Sequence, residues 1–93
     1  TNFHRAITLT RHNQHYLLRL HKDVSFLNKA LLRDCLAQIE EDSHVVIDAT
    51  PARFIDQDIL ETIDDFLYAA KDNNITVEVN HIERIYAPSS SRH

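Results

Sequence analysis

Hydrophobic residues recur along this chain with two different periods, and the changes of period mark out its elements. Residues 6–10 alternate apolar and polar, with Ile7 and Leu9 on one side, as a half-buried strand does. A turn around Asn13 and a second strand over residues 16–20 complete an expected hairpin. Residues 22–27 then leave the strand. Leu31, Leu32, Cys35, Leu36 and Ile39 follow at helical spacing and predict a helix over residues 28–40, with Ser25 or Asn28 as its cap. Val45, Val46 and Ile47 read as a buried central strand, finished by Thr50 because Pro51 cannot donate to a ladder. A loop over residues 50–58 leads to a second helix over residues 57–71. That helix buries Ile59, Leu60, Ile63, Phe66, Leu67 and Ala70 and turns Glu61, Asp64, Asp65 and Tyr68 outward. Asn73 or Asn74 takes the left-handed position that ends it, a place usually given to Gly, which this chain lacks. Residues 75–79 alternate again and predict a last strand. Ile82, Ile85 and Tyr86 suggest one short turn, and residues 88–93 a frayed tail, so the ordered core is expected over about residues 6–80.

The order β-β-α-β-α-β contains two strand–helix–strand units. Right-handed crossovers running one way put both helices on the same side of a mixed four-stranded sheet. The expected fold is therefore a small α/β domain with its helices mainly on one face and the other face thinly covered.

Composition narrows the function. Ninety-three residues make one small domain, and the start at Thr1 suggests a piece of something longer. Ten basic against fourteen acidic side chains give a net charge of -4, and no Lys/Arg cluster supplies the footprint that nucleic acid needs. Cys35 is the single cysteine and sits on an apolar helical stripe, which excludes an internal disulfide and points to an inert thiol. No apolar run approaches the roughly 18–20 residues of a membrane span.

The candidate chemistry lies after the central strand. Asp48, Asp56 and Asp58 could converge there as a magnesium site with Asp48 as phosphoacceptor, since VVIDATP resembles the strand of a receiver domain that ends in Asp with Pro shortly after. The acidic pair and the later lysine that such a receiver needs are missing, and Asp56 or Asp58 serves equally as a helix N-cap. His12 and His15 flank the hairpin turn with no Cys or carboxylate beside them, so they read as surface residues and not as metal ligands. Without Gly there is no phosphate-cradling loop, and no nucleophile stands beside a base. Negative charge continues from Asp56 and Asp58 through Glu61, Asp64 and Asp65 with no cation before Lys71, which suits either a solvated face or a contact face for a basic partner.

The strand–loop–helix stretch resembles the STAS domain, the sulfate transporter and anti-sigma factor antagonist family. Val45, Val46, Ile47 and Asp48 match its strand ending in Asp, and Phe54, Ile55, Asp56 and Leu60 match its helix start. Phe26-Leu27-Asn28-Lys29 and Asn73-Asn74-Ile75-Thr76-Val77 also fit, so the resemblance covers about residues 6–80. FLNKALLRDCL and VVIDATPARFIDQDILE are most similar to the C-terminal domain of bacterial SulP-type anion transporters. The resemblance implies a non-enzymatic, cofactor-free module on the cytoplasmic side of a membrane. Its implied partners are the membrane domain of its own transporter, a soluble cytosolic protein, or a second copy in a dimer. Thr50, Asp56, Gln57, Asp58 and Glu61 would form the contact patch. The serine phosphorylated in anti-sigma antagonists corresponds to Asp58, which has no hydroxyl. A free-standing antagonist-type signalling protein is the alternative. Nucleotide binding, a third reading, is opposed by the acidic loop, which repels phosphates.

Overall fold

The computed structural model describes residues 5–82. Six strands and two helices follow in the order β1 (Ile7–His12), β2 (His15–Leu20), β3 (Lys22–Val24), α1 (Lys29–Ala37), β4 (His44–Asp48), β5 (Ala52–Ile55), α2 (Gln57–Ala70) and β6 (Thr76–Asn80). The main sheet is four-stranded and mixed, in the order β1-β2-β4-β6, with β1 antiparallel to β2 and the other two pairings parallel. This is the expected α/β architecture. A second, two-stranded parallel sheet pairs β3 with β5 and was not foreseen: the expected 50–58 loop contains a strand.

Alternation decides which face is buried. Ile7, Tyr16, Leu18, Leu20, Val45 and Ile47 point to one side and join Leu32, Cys35, Leu36, Ile59 and Ile63 in a single core. α1 and α2 pack on that side and against each other. The register Thr10, Leu17, Val46, Glu78 runs across the opposite face, where Leu17 and Val46 are only half-buried. The thinly covered face is thus real among the described residues.

Local chemistry sets the ends of the helices. A 3-10 turn (Phe26–Asn28) opens α1, and both candidate caps are used: the Ser25 hydroxyl accepts from Leu27 N–H, and the Asn28 side chain accepts from Ser25 N–H at 2.9 Å. α1 stops at Ala37, three residues short of the expected end. Three acids follow at Glu40, Glu41 and Asp42, on the negative end of the helix dipole. Buried Tyr16 takes over there, donating to Gln38 O and accepting from Glu40 N–H, each at 3.3 Å. Burial, then neighbouring Asp34, pushes the Cys35 thiol up, which agrees with an inert cysteine. The turn expected around Ile85 and Tyr86 and the tail from Pro88 lie outside the described residues.

Among the described residues, a chain without Gly places five side chains at positive φ: Asn13, Lys22, Asp42, Asn74 and His81. Asn, Asp and His tolerate this region. Lys22, at φ 49, does not. It marks the step from the main sheet into the β3–β5 ribbon, where its N–H bonds Pro51 O at 3.0 Å. Lys22→Gly should therefore raise stability by about 0.5–1 kcal/mol, read as a higher urea midpoint at unchanged slope.

Candidate functional site

The ribbon places the site. β4 ends at Asp48, the chain turns through Ala49 to Pro51, β5 pairs with β3, and α2 begins directly after Asp56. Ala49 is fully buried and its carbonyl accepts Ala52 N–H at 3.0 Å, closing the turn. Asp48 organises the outside of that turn. Its Oδ1 accepts both the hydroxyl and, at 3.0 Å, the N–H of Thr50, while Oδ2 accepts Arg19 Nε at 3.3 Å. The Thr50 hydroxyl, ahead of the Thr50 N–H and the Arg19 guanidinium, holds the Asp48 carboxyl below the usual carboxylate value against the opposing effect of burial.

Asp56 stands at the N-cap position of α2, with its carbonyl accepting Ile59 and Leu60 N–H groups at 3.0 and 3.1 Å. Its side chain makes no cap hydrogen bond to α2. Instead Oδ2 accepts Phe26 N–H at 3.1 Å, thirty residues back, at the opening of the 3-10 turn. Asp56 N–H also bonds Val24 O at 2.9 Å. This residue thus ties β3, the 3-10 turn and α2 together, which corrects its reading as a simple cap. Asp58 makes no cap bond either; it lies in the acidic first turn, and its carbonyl accepts the Thr62 hydroxyl at 2.9 Å.

The three aspartates therefore serve separate tasks. Asp48 holds the turn, Asp56 holds the neighbouring element, and the Asp58 carboxylate faces solvent. Among the described residues no group of three His, Cys, Asp or Glu is arranged to hold a metal ion. What the arrangement does present is an outward cluster: Thr50, Gln57, Asp58 and Glu61 are exposed and Asp56 is half-buried. The side chains of Gln57, Asp58 and Glu61 have no partner within the described domain. Phe26, Leu27 and Phe54 flank them at 57, 77 and 52% exposure, which sequence reasoning missed. Their signal was faint: Phe26 and Leu27 look like the lead-in to an apolar helix stripe, and Phe54 like part of a loop.

The site is thus a fixed turn leading into an outward-facing helix start, on a small α/β domain. The STAS domain family model matches residues 6–85, and the chain belongs to that family. Among solved structures, one described as "Crystal Structure Analysis of Mglu" superposes with a TM-score of 0.71 at 22% identity, over 86% of this chain and 21% of that one. The chain thus spans about a fifth of Mglu's length. An antisigma-factor antagonist STAS domain from Rhodobacter sphaeroides superposes with a TM-score of 0.60 at 14% identity, over 85% of this chain and 88% of that one. At these identities the likeness is one of fold. No curated protein matches the chain.

Proposed function

We propose that this STAS domain is the cytosolic regulatory and interaction module of a SulP-family inorganic anion transporter, working by protein contact and not by catalysis. The observation that carries the reading is the division of labour after β4. Asp48 and Asp56 spend their side chains fixing the backbone, while Gln57, Asp58 and Glu61 on the same short segment have no side-chain partner among the described residues. A pre-formed surface costs little entropy to dock. The similarity of FLNKALLRDCL and VVIDATPARFIDQDILE to SulP C-terminal domains supports the membrane domain of its own transporter as the partner, and with it a place on the cytoplasmic side of the membrane. A soluble cytosolic protein could share the same patch.

Reversing the charge at Asp58→Lys and Glu61→Lys should weaken docking to the membrane domain about tenfold or more and alter anion transport, with the fold intact. Unchanged complex formation and unchanged transport in cells would remove the patch. The antagonist-type reading keeps one support, the near full-length overlap with the Rhodobacter structure. It requires phosphotransfer or kinase binding, and Asp58 offers no hydroxyl at the matching position. Stoichiometric label from a serine kinase and labelled ATP would favour it.

A further inference from the structure

We infer that the end of the domain where β1 begins and β2 finishes docks on anionic phospholipid headgroups. This goes beyond the transporter reading and does not depend on it. β1 runs antiparallel to β2, and β4 runs parallel to β2, so Arg5, the end of β2 and the turn from Asp48 to Pro51 meet at this end. Between them lies a cleft of about 530 Å³ whose lining includes Arg5, Thr8, His21, Lys22, Asp23 and Pro51. Its backbone is fixed: His21 N–H bonds Ala6 O at 2.8 Å and Lys22 N–H bonds Pro51 O at 3.0 Å. The Thr8 hydroxyl and His21 Nε2 lie 3.1 Å apart across its floor.

Charge here runs against that of the chain, which is -4 overall. Arg5 and Lys22 line the cleft, Arg19 stands opposite Thr8 in the β1–β2 register, and Arg53 lies on β5 beside Asp23. The acids that meet these cations are already held, Asp48 by Arg19 at 3.3 Å and Asp23 by Arg53 at 3.7 Å. Asp56, Asp58 and Glu61 do not line the cleft. Arg5 and Lys22 are exposed and have no ion-pair partner among the described residues, so two positive charges are left over. Lys22 also keeps a backbone conformation, φ 49, that Gly would hold at less cost. Stability given up at one position for the sake of its side chain is the mark of a working residue.

Exposed apolar side chains beside the cations favour a lipid surface over a dissolved oxyanion. Phe54 pairs with Asp23 across the β3–β5 ribbon, which places its exposed ring next to the cleft. Phe26 and Leu27, also exposed, follow β3 on the 3-10 turn that Asp56 ties to the end of β5. A small anion in water gains nothing from such rings. At a membrane surface the two kinds of group divide the work: aromatic and aliphatic side chains settle between headgroups, while Lys and Arg meet the phosphates. Each cation near an anionic leaflet is worth about a factor of five in affinity.

Flotation of the full chain with lipid vesicles tests this. The chain should bind vesicles of phosphatidylcholine mixed equally with phosphatidylglycerol, should ignore those of phosphatidylcholine alone, and should be released by salt. Arg5→Ala and Lys22→Gly should each weaken binding about fivefold. Lys22→Gly is the sharper of the two, because it should raise the urea midpoint at the same time, so that a damaged fold cannot explain the loss. Phe54→Ala should weaken binding several-fold. Lys71→Ala, beyond the far end of α2, should leave it unchanged. No binding to the mixed vesicles, equal binding to both kinds, binding indifferent to Arg5, Lys22 or Phe54, or an equal loss on Lys71→Ala would each overturn the proposal. So would release by inorganic phosphate at an ionic strength where chloride releases nothing, which would make the cleft a site for a dissolved oxyanion.

Discussion

Ile47→Ala is expected to lower the unfolding free energy by about 3–4 kcal/mol, while Val46→Ala next to it costs under about 1 kcal/mol. Ile47 sits in β4 between Leu18 of β2 and Val79 of β6, has no exposed surface, and shares one core with Ile59 and Ile63 of α2. Removing its side chain leaves a cavity that the flanking strands and α2 cannot collapse into, so a penalty is added to the lost burial. Val46 points to the open face and is half-buried, so its truncation loses only part of one side chain's burial. A domain of this size commands roughly 5–14 kcal/mol, so Ile47→Ala removes a large share of it. The urea midpoint should fall steeply for Ile47→Ala and barely for Val46→Ala, at similar slope. Equal losses would mean that the open face is covered in the folded chain.

Asp48→Ala should cost about 1–2 kcal/mol and free the turn between β4 and β5. The two bonds from Thr50 account for most of this. The Arg19 contact contributes little, because Arg19 is half exposed and an exposed ion pair is worth under about 1 kcal/mol. The effect depends on pH with a definite sign. The folded carboxyl is held below its ordinary value of 3.8, so its contribution is fully present above that value and is lost as pH falls through the lower folded one. Wild type and Asp48→Ala should therefore differ by a constant amount from neutrality down to about pH 5, and the gap should narrow below about pH 4. Amide exchange at Thr50, whose N–H bonds Asp48 Oδ1, should quicken in the variant at neutral pH. A gap that widened in acid would reverse the sign of the assignment.

Much of the fold is legible in the sequence because each large element has a long, clean period. α2 shows it best: fourteen residues with Ile59, Ile63 and Ala70 buried on one stripe. The hairpin follows from alternation, and β4 from the apolar run Val45, Val46 and Ile47 ended by Pro51. The β3–β5 ribbon was hidden for a physical reason. Its strands have three and four residues, too few to display a period, and they pair in parallel across some thirty positions. Asp56 was half-legible in the same way. A carboxylate before a helix reads as a cap, and only the folded backbone shows that it reaches Phe26 instead. The end of α1 depended on Tyr16, whose hydroxyl completes the helix terminus from another strand. The acidic outer face of α2 was visible as charge.

In the proposed function, the start of α2 docks on another protein, the membrane part of the same transporter. A photo-crosslinking residue placed at Gln57, exposed and without a side-chain partner among the described residues, tests it in living cells. Crosslinked peptides from the cytoplasmic surface of an anion-transporting membrane domain are the predicted result. Crosslinks confined to a soluble kinase or anti-sigma factor, or no crosslink from this position while a buried-face control stays silent as well, would contradict it.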